Sequence, residues 1–419
     1  MKNAVRILLS ICLIIMLSMP GYVFAASALS PFQTGWTRPI PDGYLKEAGK
    51  QGRVIRIKYN SRDYAGNGGS IEKTACVYLP YGYNADDTKT RYDIFYVMHG
   101  LSGTADEFFG INGGAAKNLI DNMIEKGNIH PMIIVAPTFD AENKPQEFSR
   151  ADSEVRQFHL DFLNDLMPAV EGKYHTYSKG VSKKDLMDSR DHRAFGGFSM
   201  GSVTTWMQFC YNSDYIRYYL PMSGACWYYG GYGSSRPVEN CDLLEKTVRD
   251  NKLNERGYFI YACTGTNDTL RGEVDLQMKE MYARKNTFTP DHVVYFMKDG
   301  GAHDYSSEME YIYNALPLFF TEETAEAAVY KIYSNFEQKK DPSKKEAELY
   351  FYKGKKGADS RLYTGEDGKA KAIEASKQGY NAFVLKSRSG EKKAAEDRER
   401  AAAFINDNTE YLNVGKLKN

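Results

Sequence analysis

Net charge is what this chain lacks first: 54 basic side chains face 54 acidic ones. That balance gives no bulk attraction to nucleic acid or to an anionic membrane, so neither is expected as a partner. Cysteine is scarce, at six in 419 residues, and no two form a C-x-x-C pair. A disulfide scaffold, a structural zinc site and thioredoxin-type chemistry therefore have no support, and no metal or organic cofactor is expected. Apolar runs long enough to cross a bilayer are absent after the first twenty residues. There is no internal repeat. What is present is a large globular core's worth of apolar residues, 42% of the chain with 13% aromatic, which excludes a disordered or fibrous protein.

Lys2 and Arg6 precede the apolar residues 7–19, Pro20 and Gly21 end the run, and Val23-Phe24-Ala25 follows. A charged start, a short apolar segment and a small-residue cut site predict a secretory signal peptide over residues 1–25, with Ala26-Ser27-Ala28 as a second cut site. The mature protein is then expected outside the cell and free of the membrane. Ile11 before Cys12 does not fit a lipoprotein cut site. Five cysteines would remain: Cys76, Cys210, Cys226, Cys241 and Cys263. An odd number leaves at least one free thiol, and one or two disulfides stay open.

Strands are predicted at residues 53–59 and 74–79, separated by the turn Asn67-Gly68-Gly69. Residues 92–98 and 132–136 are nearly continuous apolar runs, as strands covered on both faces require. Helical spacing appears over 115–126 and 155–171. The alternation continues with strands at 193–198, 218–222, 258–263 and 292–297, and helices at 202–210, 241–250, 273–285 and 308–320. Such alternation predicts an α/β fold, a mostly parallel sheet with helices on both faces. From about residue 321 the composition changes: 37 of the last 99 residues are charged, against 26% overall. Residues 326–419 thus read as a charged extension or small accessory module, with strands at 349–352 and 382–385 and a solvated helix at 391–406. Residues 26–325 make the main domain.

The chemistry centres on Gly197-Phe198-Ser199-Met200-Gly201, a G-x-S-x-G pentapeptide between a predicted strand and a predicted helix. That context makes it a nucleophile elbow of the α/β-hydrolase fold, with the serine exposed on a strained turn at a helix N-terminus. A serine hydroxyl needs a base, and the base needs an orienting carboxylate; in this fold the acid and then the histidine follow the serine. Only His292 and His303 follow. His292 opens a strand at the far end of the sheet, whereas His303 sits in the glycine-rich loop Asp299-Gly-Gly-Ala-His303-Asp304 and is the expected base. Asp268, in the loop after strand 258–263, is preferred as the acid over Asp275, Asp291 and Asp304. The backbone N–H of Met200 and that of Leu101, in the loop Met98-His99-Gly100-Leu101-Ser102-Gly103, are expected to form the oxyanion hole. His99 then serves to hold that loop. Phe108, Phe109, Trp227 and Tyr228, with Tyr229, lie on loops after strands and are candidates for an aromatic acyl pocket or sugar platform, with ordinary packing as the alternative.

Over residues 51–320 the chain resembles the feruloyl and acetyl-xylan esterases of carbohydrate esterase family one. The carrying segments are Val77-Tyr-Leu-Pro-Tyr-Gly-Tyr83, Met98-His-Gly-Leu-Ser-Gly103, Met132-Ile-Ile-Val-Ala-Pro137, the elbow, Gly265-Thr-Asn-Asp268 and Gly300-Gly-Ala-His-Asp304. The resemblance implies the esterase D-like α/β-hydrolase fold, a triad at Ser199, Asp268 and His303, and oxyanion donors at Leu101 and Met200. It also implies an esterified polysaccharide or small ester as substrate, from which ferulate or acetate is removed. Two departures concern specificity: Ser202 stands where the family often has glycine, and Tyr305, Tyr311 and Tyr313 stand where tryptophans often follow the His-Asp pair. Acyl transfer of the mycolyltransferase type and a non-catalytic carbohydrate-binding role on the same scaffold are the rival readings. A cytosolic formylglutathione thioesterase conflicts with the signal peptide.

Overall fold

The computed structural model describes residues 35–110, 114–141, 147–289 and 292–320, and three strands of the tail. Among these residues nine strands form one sheet: β1 (Gly35–Trp36), β2 (Arg53–Arg62), β3 (Ser70–Leu79), β4 (Asp93–Met98), β5 (Met132–Ala136), β6 (Arg193–Phe198), β7 (Tyr218–Met222), β8 (Phe259–Gly265) and β9 (Val293–Lys298). Their order is β1-β9-β8-β7-β6-β4-β5-β3-β2. Every neighbour pair from β1 to β5 is parallel, while β3 runs antiparallel to both β5 and β2.

Ten α-helices accompany the sheet among the described residues: α1 (Glu107–Gly110), α2 (Ala115–Glu125), α3 (Phe148–Asp161), α4 (Met167–Glu171), α5 (Lys183–Asp188), α6 (Met200–Asn212), α7 (Pro237–Asp250), α8 (Leu253–Arg256), α9 (Arg271–Ala283) and α10 (Tyr305–Ala315). Because side chains alternate along a strand, the sheet feeds two cores. On one face Val77, Tyr96 and Val135 pack with Phe158 of α3 and Val203 of α6. On the other, Tyr78, Phe95 and Ile134 pack with Leu119 of α2 and Ile312 of α10. All residues of β5, β6 and β7 are buried, the charged Arg193 at the head of β6 through its ion pair with Glu171.

Apart from α2, which begins at Ala115 as expected, the helices predicted from the sequence start earlier than apolar periodicity suggests. The helix expected at 155–171 begins at Phe148 and passes through a π-helical turn, Phe162–Leu166, before α4. Its first turns are polar and are held by the pairs Arg150–Glu154 (2.7 Å) and Asp152–Arg156 (3.0 Å), one helical turn apart, a stabilisation invisible to a search for hydrophobic spacing. α7 starts at Pro237, whose fixed φ suits a first helical turn, and not at Cys241. α6 begins at Met200, directly after Ser199, and α10 at Tyr305. The two-residue β1 was not anticipated in the polar lead.

The tail contributes β10 (Ala347–Lys353), β11 (Ser360–Leu362) and β12 (Tyr380–Lys386), a separate antiparallel sheet of order β11-β10-β12. β10 and β12 contain the two segments expected there; the short β11 was not foreseen. The expected signal peptide and the expected helix at 391–406 lie outside the described residues. All five cysteines of the described residues are free thiols, so neither disulfide left open by the sequence is formed.

Candidate active site

The parallel strands β4, β6, β8 and β9 all end on one edge of the sheet, and their loops carry the singled-out residues. Ser199 stands between β6 and α6 with φ 57° and ψ −115°, a conformation a serine adopts only where its surroundings impose it. The turn is tight enough that a methyl group on Gly201 would collide with the Met98 carbonyl, and one on Gly197 with the backbone of Gly201. The pentapeptide's two glycines are therefore steric necessities of the elbow.

His303 follows β9, and Asp268 follows β8. The Nδ1 of His303 lies 3.0 Å and 3.1 Å from the two carboxylate oxygens of Asp268, whose side chain is wholly shielded from solvent. Asp268 Oδ1 also accepts the N–H of Leu270 at 2.8 Å, which fixes the carboxylate plane. The two loops are sewn together by Asn267 N to Gly301 O (2.9 Å), Thr266 N to Lys298 O (3.0 Å) and Gly300 N to Thr266 Oγ1 (2.7 Å). A side chain on Gly265 would strike the Gly301 backbone, which makes Gly265 a steric necessity, while Gly300 takes a positive φ of 68° that favours glycine. The imidazole rests on the ring of Phe198, the residue before Ser199, with centroids 4.6 Å apart. The other carboxylates are engaged elsewhere: Asp275 accepts from Tyr295 at 2.6 Å, and Asp304 caps α10 through Ser307 N. Asp291 lies outside the described residues. His292 binds the Tyr258 carbonyl at 3.0 Å, at the opposite end of the strands.

The loop after β4 comes equally close. A methyl group on Gly100 would sit 3.2 Å from Ser199 Cβ. The Nδ1 of His99 lies 2.7 Å from the Gly100 carbonyl oxygen, and its Nε2 lies 2.7 Å from Thr138 Oγ1. Burial pushes the imidazole down to about 4, so the ring is neutral, and its 3.8 Å approach to Asp140 is not an ion pair. A carbonyl can only accept, so Nδ1 carries the proton and Nε2 receives the Thr138 hydroxyl. Asp140 stands 3.2 Å behind Thr138; burial first, then the nearby Glu154, raises its carboxyl to about 7. The Gly100–Leu101 peptide is trans, so holding its C=O toward His99 turns the Leu101 N–H away from His99. Among the described residues the Leu101 N–H meets no protein acceptor, and Met200, as the first residue of α6, has none within the helix. Thr138 and Asp140 were not foreseen; their only sequence signal is their place just after β5.

The aromatic candidates divide. Phe108 and Phe109 are buried, in edge-to-face contact at 4.8 Å, with Phe109 stacked on Tyr78 at 6.2 Å. They belong to the core cluster with Tyr78 and Ile312, and Tyr305 donates to the Phe108 carbonyl at 2.8 Å, so of the two readings the structure favours packing. Trp227 is buried as well, and Tyr228 is half-buried. Their loop approaches the elbow: a methyl group on Gly224 would lie 2.8 Å from the Ser199 carbonyl oxygen, and Ser202 Oγ donates to the Gly224 carbonyl at 2.7 Å. Ser202, one of the two departures, thus anchors this loop, and Tyr311 and Tyr313 are buried in the core. Among the described residues no group of three His, Cys, Asp or Glu side chains is arranged to hold a metal ion.

The Esterase family model ("Putative esterase") matches residues 71–316. Endo-1,4-beta-xylanase Y of Acetivibrio thermocellus is 33% identical over 290 residues, 68% of this chain and 25% of that protein. An endo-1,4-beta-xylanase/feruloyl esterase of Xylanibacter ruminicola is 27% identical over 157 residues, 37% of this chain and 20% of that protein. The chain thus spans a quarter or less of the curated relatives it matches. Among solved structures, a mutant of the feruloyl esterase module from Clostridium thermocellum complexed with sinapinate is 32% identical, with a TM-score of 0.59 over 69% of this chain and 95% of that one. A feruloyl esterase from Anaeromyces mucronatus, 21% identical with a TM-score of 0.50 over 68% of this chain and 98% of that one, shares the fold. The elbow, the paired loops and these likenesses agree: the chain belongs to the Esterase family.

Proposed function

We propose that the protein is a secreted serine carboxylic-ester hydrolase that removes feruloyl or acetyl groups from plant cell-wall polysaccharide. The observation that carries this reading is the His303–Asp268 pair at 3.0 Å, with the imidazole seated against Phe198 beside the strained Ser199. Ser199 Oγ attacks the ester carbonyl while His303 Nε2 takes its proton. The carbonyl oxygen, now an anion, accepts the N–H groups of Leu101 and Met200. The tetrahedral adduct then collapses, the C–O bond to the sugar breaks, and His303 returns the proton to the leaving hydroxyl. A water molecule, deprotonated by His303, releases the acid and regenerates Ser199. Asp268 keeps the Nδ1–H tautomer and stabilises the imidazolium.

The substrate class is supported by the relatives, of which one combines xylanase and feruloyl esterase in its name and another holds sinapinate. Secretion is supported by the pattern of residues 1–25, and the catalytic unit is taken as residues 26–325, with 326–419 appended. A panel of methyl ferulate, a short-chain nitrophenyl ester and acetylated xylan tests the reading. Ferulate release by the wild type and its loss in Ser199→Ala are expected; activity on acetyl esters alone would move the substrate to acetate.

A further inference from the structure

Beyond the ester-cleaving residues, the loop between β7 and α7 displays aromatic rings that the reaction does not use. Tyr232 is 61% exposed, Phe148 at the start of α3 44%, and Tyr229 39%. Phe148 and Tyr232 lie 6.3 Å apart, and both border Trp227, at 6.4 Å and 6.2 Å. Trp227, only 2% exposed, is the floor on which the two outer rings rest. Exposed aromatics on a mobile loop would mean little, but this loop is pinned from several sides. Glu273 accepts the Trp227 indole N–H at 2.9 Å and the Gly233 N–H at 2.8 Å. The Arg156 guanidinium binds the carbonyls of Trp227, Tyr228 (3.4 Å) and Gly230 (2.9 Å). Asn240 closes both ends of the Cys226–Tyr229 turn, accepting Tyr229 N–H at 2.8 Å and donating to Cys226 O at 2.6 Å. The rings are thus presented in a fixed arrangement, so a ligand would not have to order them.

Two further observations narrow the occupant. Both cations beside the patch are paired: Arg156 with Asp152 at 3.0 Å, and Arg236, whose guanidinium covers the Tyr229 ring at 5.7 Å, with Glu239. The Glu273 carboxylate is spent on the Trp227 and Gly233 N–H groups. Neither guanidinium is left free for an anion, whereas flat apolar faces edged by phenol hydroxyls suit a sugar ring, which has apolar C–H faces and a hydroxyl rim. The loop that carries the patch also leads to the candidate active site: three residues before Trp227, a methyl group on Gly224 would lie 2.8 Å from the Ser199 carbonyl oxygen.

We infer that Phe148, Tyr232 and Tyr229, backed by Trp227, form a binding platform for the neutral polysaccharide chain that carries the ester. This rests on the esterase reading above and adds where the polymer, as opposed to its acyl group, is held. The platform governs KM for polymer and leaves small esters alone.

The test compares wild type, a Phe148→Ala/Tyr232→Ala double variant and a Tyr81→Ala control, whose exposed ring lies elsewhere. Each is assayed on methyl ferulate and on soluble feruloylated xylan. The double variant is expected to keep kcat/KM for methyl ferulate within about twofold while losing on the order of tenfold on the polymer through KM, the control losing neither. In a Ser199→Ala background, affinity electrophoresis in xylan gels should show retardation that the double substitution removes. A polymer kcat/KM unchanged in the double variant overturns the platform. So does an equal loss on both substrates, which would make these rings part of the ester site. Concentration-dependent dimerisation abolished by the same substitutions would assign the patch to a second copy and also overturn it. Absence of ferulate release by the wild type from either substrate would instead defeat the esterase reading itself.

Discussion

His99 donates its Nδ1 proton to the Gly100 carbonyl at 2.7 Å, and this one bond sets the orientation of the peptide that ends in the Leu101 N–H. The ring can do so because burial keeps it neutral and Thr138 supplies the proton that Nε2 accepts. His99→Phe removes the donor, and Thr138→Val leaves the other tautomer equally good. Each should lower kcat on the order of 10- to 100-fold with KM nearly unchanged, because an oxyanion donor acts only as charge develops on the substrate. Steady-state kinetics on methyl ferulate separate the two constants; a change confined to KM would remove the positioning role.

Asp268 is fully shielded and touches His303 with both oxygens. Asp268→Asn keeps the volume but favours the wrong imidazole tautomer. A loss of about 10³- to 10⁴-fold in kcat is expected, with thermal unfolding monitored to exclude collapse of the loop held through Leu270.

Arg193 and Glu171 form a buried, two-pronged ion pair at 2.6 Å and 2.7 Å, joined by Tyr96 and Ser189. Arg193→Met strands the carboxylate in the core and should cost roughly 3–5 kcal/mol, measured by urea unfolding. Removing both charges, as Arg193→Met/Glu171→Met, should restore much of that loss.

Glu308 of α10 is buried opposite Glu107, and desolvation first, then the neighbouring carboxylate, raises it from 4.5 to about 8. Between those values the folded protein keeps a proton that the unfolded chain releases, so this group makes stability fall as pH rises through that window. Glu308→Gln should flatten the decline and stabilise the protein near pH 8, while changing little below pH 4.5. Urea unfolding midpoints across the pH series check both ends of that window.

Much of this was legible because the signals are local. Nearly continuous apolar runs located β4 and β5, and Gly197, Gly201 and Gly265 are demanded by backbone contacts that admit no side chain. Polar structure was harder to read. The first turns of α3 rest on ion pairs, not apolar spacing, and Arg193 opens β6 as a charged residue that only its distant partner Glu171 makes tolerable. Thr138 and Asp140 reach His99 only through the adjacency of β4 and β5, a tertiary relationship that no motif near either residue encodes. Phe108 and Phe109 left two readings open for the opposite reason: aromatic residues after a strand look alike whether they face solvent or Tyr78.

The most direct measurement is intact-protein mass spectrometry after rapid mixing with an activated cinnamoyl ester. One acyl group should appear, mapped by proteolysis to the peptide containing Ser199 and absent in Ser199→Ala. Acylation at another residue, or turnover undiminished in Ser199→Ala, would contradict the account.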